Sequence, residues 1–227
     1  MRLTTFTVAR WAVAIALALA LGSMLLYPGG TLLDRSSPGY SASHNFLSDL
    51  GMTVAYAGQT NSLGALLFVL ALVTVVLGLG GCLVGFIRLY SDAPRARRLA
   101  RAAGVVGILV CSAFVGVAVT PENRVMALHV RFTLFAFRIF PLLSALLALA
   151  SLYSSGVPRR VAVTWAVLTA ILAAYVVVLG WGPSPRTVDG LVFQVAAQKI
   201  VALAAVSFFV YLSIEADRVV GMRRTSH

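Results

Sequence analysis

Residues 63–87 read LGALLFVLALVTVVLGLGGCLVGFI, an uninterrupted run without a charged side chain. An α-helix rises about 1.5 Å per residue, so about 20 apolar residues cross the hydrocarbon core of a bilayer. The segment Leu63–Ile87 is therefore long enough to span a membrane as a single helix. The sequence on either side decides how many such helices the chain contains.

Five further apolar runs flank this segment, at Trp11–Tyr27, Ala102–Val119, Val125–Leu152, Val161–Trp181 and Leu191–Ile214. The composition agrees with a membrane protein, because 60% of the 227 residues are hydrophobic and 11% are charged, with a mean hydropathy of +0.94. Soluble domains carry about 25% charged residues, so the apolar excess must face lipid. We predict an all-α fold, an integral membrane bundle of six transmembrane helices that forms one domain over residues 1–227.

The net charge of +11 is divided unequally between the two ends of the predicted bundle. Twelve arginines lie at the end that holds both termini and the 2–3 and 4–5 loops: Arg2, Arg10, Arg88, Arg95, Arg97, Arg98, Arg101, Arg159, Arg160, Arg218, Arg223 and Arg224. Three, Arg35, Arg124 and Arg186, lie at the other. Cytoplasmic loops carry the excess of cations, which predicts cytoplasmic termini in the cell inner (plasma) membrane. Topology and anionic headgroups explain the basic clusters, so we expect no nucleic-acid partner.

The connection between helices 1 and 2, residues 28–60, is the only predicted loop with room for structure of its own. Within it, Ser43 is placed to cap a short helix with one apolar face, and Gly51 is placed to end it. Such a helix lies at the membrane interface or folds back over the mouth of the bundle.

Three polar residues of this short helix favour a functional interpretation. His44 and Ser48 are four residues apart and share a face, with Asp49 adjacent. With His129 of helix 4, His44 and Asp49 could act in acid–base catalysis or form a three-ligand metal site. The spacing matches no compact zinc motif, and capping of a re-entrant turn explains the same polar groups. The sequence leaves these alternatives open.

Helices 4 and 6 carry cations within their apolar runs. Arg124, Arg131 and Arg138 are spaced by seven, so they form one stripe on helix 4. The 14 residues Ile139–Leu152 that follow Arg138 span about 21 Å, which places Arg138 in the outer half of the membrane. Lys199, the only lysine, lies at a similar depth in helix 6. These cations require an anion, either a carboxylate of this chain or a bound phosphate or carboxylate.

The motif HNFLSDLG at His44–Gly51, preceded by Tyr40-Ser41 and followed by Asn61 at the start of helix 2, resembles the bacterial and archaeal membrane family catalogued as domain of unknown function 998. The resemblance extends to His129 and to the pair Gln198-Lys199, where the family often has arginine in place of the lysine. That family is distantly similar to the six-helix Frag1-like proteins associated with lipid remodelling and membrane trafficking. The resemblance implies a six-helix membrane fold and assigns no activity.

The sequence favours a protein that binds an anionic lipid or isoprenoid-type ligand in an outer-leaflet cavity covered by the short helix. Guanidinium forks and a lysine suit a phosphate. The predicted ligand-binding residues are Arg131, Arg138, Lys199, Gln198, Ser48 and Asn45, and the residues to test for catalysis are His44, Asp49 and His129. Membrane lipids are the expected partners, with a membrane-protein partner or a second copy as further candidates. No cofactor is identified, and whether a reaction follows binding stays open. The alternative function is a non-catalytic structural subunit or scaffold of a larger membrane complex.

Overall fold

The computed structural model describes residues 4–225, with side chains up to Met222. Over this range the chain forms six long helices: α1 Thr5–Leu26, α2 Ser62–Leu89, α3 Pro94–Val119, α4 Glu122–Tyr153, α5 Arg159–Trp181 and α6 Val188–Thr225. All six are long and apolar enough to cross a membrane. The predicted all-α bundle of six transmembrane helices is confirmed.

Several helices extend beyond the apolar runs that predicted them. The first, α1, begins six residues earlier, because the Thr4 hydroxyl accepts a hydrogen bond from the Thr7 amide at 3.0 Å and caps the first turn. In α3 the extension is eight residues, and Pro94 occupies the first turn, where a missing amide hydrogen costs nothing. At the other end of the chain, α6 continues eleven residues past its apolar run. Apolar content marks the membrane-embedded part of a helix and says little about where the helix ends.

The helices form a closed ring in chain order. Consecutive helices pack side by side from α1 to α6, and α6 packs against α1. Aromatic side chains fill the centre, where the Phe86 ring makes edge-on contacts with Phe6 and Trp165 at centroid distances of 5.2 and 5.3 Å. A hydrogen bond of 2.7 Å between the hydroxyls of Tyr90 and Ser151 joins α2 to α4. Each helix therefore contributes one face to the ring and leaves another for lipid.

We use the name basic end for the end of the bundle that holds the start of α1, the end of α6 and the 2–3 and 4–5 loops. Ion pairs connect the helices there. Arg10 of α1 contacts Asp217 of α6 at 2.8 Å, and Arg160 of α5 contacts the buried Glu215 of α6 at 2.7 Å. The acidic residues near the end of α6 thus close the ring by holding it to both of its neighbours.

Nine of the twelve arginines predicted for one end lie at the basic end: Arg10, Arg88, Arg95, Arg97, Arg98, Arg101, Arg159, Arg160 and Arg218. Arg2 lies outside the described residues, as do the side chains of Arg223 and Arg224. The opposite end, here called the loop end, holds the 1–2, 3–4 and 5–6 connections.

Candidate functional site

The 1–2 loop folds back onto the loop end of the ring. Two glycines with positive φ, Gly29 at +136° and Gly30 at +81°, turn the chain directly after α1. A β-carbon at Gly30 would collide with the backbone of Tyr56 and Ala57, so only glycine permits this close approach of the two loop segments. Contacts between two segments of its own backbone therefore fix the shape of the loop, in addition to its contacts with the helices.

The predicted short helix is present as a 3-10 helix of four residues, Ser48–Gly51. It ends at Gly51 as predicted, but Ser43 does not cap it. The Ser43 hydroxyl instead lies 2.8 Å from Nδ1 of His44, within a preceding turn. The apolar pattern that suggested a longer helix belongs to two successive turns. The Asp49 carboxylate accepts the Phe46 amide at the entry to the second of them.

Asp49 is the buried acidic group of the loop, with no exposed surface. Its Oδ2 accepts hydrogen bonds from the Asn45 side-chain amide at 2.9 Å and from the Phe46 amide at 3.0 Å. Its Oδ1 has no hydrogen-bond partner within residues 4–222. Burial raises the pKa of Asp49 to about 7, and the nearby negative charge of Glu122 adds to the increase. This carboxyl group therefore titrates near neutral pH.

Lys199 and Gln198 of α6 hold the loop from the ring side. The Lys199 ammonium donates a hydrogen bond to the Asn45 carbonyl at 2.5 Å, and it lies 5.3 Å from the centroid of the Tyr40 ring. Oε1 of Gln198 accepts the Leu47 amide at 2.7 Å. Three predicted ligand-binding residues, Asn45, Gln198 and Lys199, thus lie in one region, where Gln198 and Lys199 each bond the backbone of the loop.

His129 is buried between α3 and α4. Its Nδ1 lies 2.7 Å from the carbonyl oxygen of Thr120, and because a carbonyl only accepts, Nδ1 carries the proton and donates. Its Nε2 is 4.0 Å from Oε2 of Glu122. The imidazole therefore satisfies a carbonyl at the end of α3, an ordinary structural role.

The structure does not unite the three residues predicted for catalysis. His44 is half-buried and contacts the hydroxyls of Ser41 and Ser43, whereas Asp49 faces the interior of the loop and His129 faces Thr120. Among the described residues there is no group of three His, Cys, Asp or Glu side chains that could hold a metal ion. The three-ligand metal hypothesis is wrong, because the turn at residues 42–44 directs His44 to its own hydroxyl neighbours. Ser48 begins the 3-10 helix as a half-buried residue.

Arg131 and Arg138 lie on the exposed surface of α4. They share one stripe with Phe135, Leu142 and Leu149, which are 46%, 52% and 44% exposed. Neither arginine has a hydrogen bond or an ion pair within the described part of the chain. This face of α4, with the two guanidinium groups, is therefore not covered by the rest of the described chain.

Arg124 departs from the predicted stripe. Val125 has φ −137° and ψ 49°, outside the helical region, so the first turn of α4 is out of register with the rest. The Arg124 side chain donates to the Thr53 hydroxyl at 3.1 Å, and the Thr53 amide donates to Oδ1 of Asn123 at 3.0 Å. The start of α4 thus holds the 1–2 loop from a second side.

One residue that organises the loop appears in the sequence analysis only as part of the family resemblance, without a predicted role. Asn61, buried ahead of α2, donates from its side-chain amide to the carbonyls of Leu50 and Met52 at 3.1 and 2.9 Å. Its position, a lone amide directly before a long apolar helix, was the available signal. A polar residue at such a helix start satisfies backbone groups that lipid could not.

No family model, no curated protein and no solved structure matches this chain. The resemblance to domain of unknown function 998 therefore remains an expectation from the residues quoted above. The sequence and the six apolar helices of the structure together identify the chain as a multi-pass membrane protein.

Proposed function

We propose that this membrane protein binds an anionic lipid in the leaflet at the loop end, with the lipid phosphate on Arg131 and Arg138. The observation that carries the proposal is the position of these two arginines, exposed on a lipid-facing stripe and without an anionic partner in the described chain. An unpaired arginine within the hydrocarbon costs about 2.5 kcal/mol or more. A bound phosphate offsets this cost.

The depth of the two arginines supports a phosphate as the anion. Arg138 is 15 residues from Tyr153 at the basic end of α4, about 22 Å along a helix that crosses a core of about 30 Å. Arg131 lies about 10 Å nearer the loop end, close to the headgroup boundary. Helical side chains lean toward the helix N-terminus, which in α4 is the loop end. Arg138 therefore extends toward Arg131, and both reach the level of lipid phosphates.

The acidic residues at the loop end are poorly placed to serve instead. Asp49 is buried in the loop, Glu122 lies beside His129, and Asp34 accepts the hydroxyl and the amide of Ser36. The fourth, Asp189, is exposed in the first turn of α6, a helix that packs against α1 and α5. A guanidinium group binds a phosphate through two parallel hydrogen bonds, which a lipid phosphate accepts readily. A lipid whose phosphate is esterified to a glycerol or an isoprenoid fits this chemistry equally well.

In this proposal Lys199, Gln198 and Asn45 hold the 1–2 loop against the ring and do not contact the ligand. The Lys199 ammonium is already used by the Asn45 carbonyl, at 2.5 Å. The ligand therefore lies on the surface of α4 beside the loop. The predicted outer-leaflet cavity, which placed Lys199 with the arginines, is replaced by this surface site.

Substitution of both arginines tests the proposal. Native mass spectrometry of the protein released from nanodiscs of phosphatidylglycerol and phosphatidylcholine measures how much anionic lipid is retained. With about 1 kcal/mol per cation, we expect R131Q/R138Q to bind phosphatidylglycerol at the α4 site about 25-fold more weakly than wild type, so that the lipid adduct of this site is lost. The control R159Q/R186Q removes two exposed cations elsewhere and should behave as wild type.

Two outcomes contradict the proposal. Retention that is equal in R131Q/R138Q and wild type shows that the arginines do not bind phosphate. A co-purifying protein that is lost in R131Q/R138Q, with lipid retention unchanged, assigns the stripe to a subunit interface and favours the structural-subunit alternative.

We further propose that the loop end faces the outside of the inner membrane and that both termini are cytoplasmic. The nine described arginines at the basic end support this orientation through the positive-inside rule. Ser184 lies in the 5–6 connection at the loop end and Ser155 in the 4–5 loop at the basic end, and both are exposed. A membrane-impermeant maleimide should label S184C and spare S155C in intact cells, and the reverse pattern would overturn the orientation.

A further inference from the structure

A groove of about 780 Å³ lies between α2 and α3, on the outer surface of the ring. Its walls are apolar apart from Arg101, Cys111 and Ser112. Hydrophobic side chains along its edges are strongly exposed, among them Leu77 at 70% and Ile108 at 66%. The groove therefore opens sideways into the membrane and is separate from the arginine stripe of α4.

Glycines leave the floor of the groove open. A β-carbon added at Gly80 or at Gly81 would meet no atom within 4 Å. By contrast, a β-carbon at Gly104 would meet the Ile87 side chain at 2.7 Å, so the two helices touch near the basic end. The groove is therefore open where α2 presents two adjacent residues without side chains.

The groove has the depth of one leaflet and a cation at its polar end. Its α2 wall runs from Val76 to Ile87, about 17 Å of helix and about half of the hydrocarbon core. Arg101 lines the end nearest the basic end. Because helical side chains lean toward the helix N-terminus, and α3 begins at the basic end with Pro94, its guanidinium points toward the headgroups.

We propose that this groove holds an acyl chain of an anionic phospholipid from the leaflet at the basic end, with the lipid phosphate on Arg101. The proposal is independent of the lipid proposed for α4, which belongs to the other leaflet. An acyl chain occupies an apolar channel one leaflet deep, and the phosphate then lies at the depth of the Arg101 side chain.

The charge around the polar end of the groove favours an anion. Arg101 lines the groove, and four further exposed arginines lie at the same end of α2 and α3, namely Arg88, Arg95, Arg97 and Arg98. The one acidic residue of the 2–3 loop, Asp92, accepts hydrogen bonds from the Ser154 hydroxyl and the Gly156 amide. The cations therefore lack a nearby free carboxylate, and an anionic headgroup supplies the missing charge.

A second copy of the chain fits the groove less well. In a membrane, two copies with the same orientation bring their basic ends to the same side. A helix from one copy seated in the groove of the other would set cationic loops next to each other, and like charges at an interface oppose association. A phospholipid fills the same apolar space and adds a negative charge where one is required.

The direct test is to fill the groove with a larger side chain. The full-length protein is placed in nanodiscs of phosphatidylglycerol, and one acyl chain of this lipid carries a photoactivatable diazirine. In wild type we expect cross-links on α2 and α3 peptides that line the groove. The larger side chain in G81L projects into the open space of the groove. If it displaces about two methylene groups of the acyl chain, cross-linking should fall about tenfold. The matched control is G180L, on α5, where an added β-carbon also meets nothing within 4 Å.

The headgroup is tested separately by R101Q. The acyl chain should still bind, but the preference for phosphatidylglycerol over phosphatidylcholine should fall about fivefold, as for loss of one cation near the surface. R159Q removes an exposed arginine at the same end and outside the groove, and it should keep the wild-type preference.

Three results would overturn the proposal. The first is cross-linking in G81L equal to that in wild type, and the second is a headgroup preference in R101Q equal to that in R159Q. The third is a wild-type dimer that G81L converts to a monomer without loss of bound lipid, because that result assigns the groove to a second copy. Cross-linking in R131Q/R138Q should remain at the wild-type level, which separates this site from the one on α4.

Discussion

The burial of Asp49 predicts that docking of the 1–2 loop depends on pH. Its pKa is raised from 3.8 to about 7, first by burial and then by Glu122. Between these two values the folded loop binds a proton that the released loop does not. The contribution to stability is therefore full below about pH 4 and is lost as the pH rises toward 7. Acidification should hold the loop more tightly.

The substitution D49N tests this coupling, because asparagine is a neutral group of the same shape. Hydrogen exchange of the amides of residues 45–52, corrected for intrinsic rates, should show greater protection at pH 5 than at pH 8 in wild type. In D49N the difference between the two pH values should disappear. D34N serves as the control, since Asp34 is exposed in the same loop and its Ser36 hydrogen bonds lower its pKa. Persistence of the full pH dependence in D49N would contradict the account.

At the scale of single residues, the sequence shows which residues are unusual but does not show which residues they contact. The HNFLSDLG motif and the pair Gln198-Lys199 were recognised as exceptional, and the structure brings them together. Their hydrogen bonds join residues more than 150 positions apart, such as Lys199 and Asn45. A single sequence holds no signal for such a pairing. The burial of Asp49 was equally hidden, because it depends on how the whole loop folds back.

Among the helices, α2 shows how similar glycines serve different purposes. Gly81 and Gly85 have the GxxxG spacing that is typical of closely packed membrane helices. In the structure, Gly85 faces the Phe6 ring of α1, and Gly78 faces Ala12 of α1, whereas Gly81 faces the groove. Close packing against α1 therefore involves Gly78 and Gly85, which are one heptad apart, and the GxxxG pair Gly81–Gly85 does not act as a unit.

Alanine at position 78 and alanine at position 81 should have opposite effects on stability. A β-carbon at Gly78 would lie 2.9 Å from the Ala12 β-carbon, so G78A forces α1 and α2 apart at a cost of about 1–3 kcal/mol. G81A adds a methyl group to open space and gains up to about 1 kcal/mol of helix propensity. Thermal unfolding in detergent should show a lower Tm for G78A and an equal or higher Tm for G81A. A reversed order would mean that Gly81 is covered.

Helix number and class could be predicted from apolar run length alone, whereas the exposed face of each helix could not. Periodicity placed Arg131 and Arg138 on one face of α4. It did not say whether that face looks into the ring or out to lipid, because this depends on which neighbours α4 packs against. Nor did it reveal the break at Val125, which removes Arg124 from the stripe.

At the scale of the whole molecule, the two ends of the ring differ in whether two arginines at each end have acidic partners within the chain. At the basic end, Arg10 and Arg160 form ion pairs with acidic residues of α6 and close the ring. At the loop end, Arg131 and Arg138 have no such partner within the described chain. The exposed arginines of α4 are the basis for our proposal that the protein binds an anionic lipid at the loop end.

The most direct test is a solid-state NMR distance between lipid phosphorus and arginine Cζ, in bilayers of phosphatidylglycerol with ¹³C-labelled arginine. Other arginines also lie near headgroups, so the informative signal is the difference between wild type and R131Q/R138Q. We predict that wild type shows ³¹P–¹³C dephasing at the short distance of a direct guanidinium–phosphate hydrogen bond and that the double variant loses this component. Identical dephasing in the two proteins would contradict the claim that Arg131 and Arg138 hold a lipid phosphate.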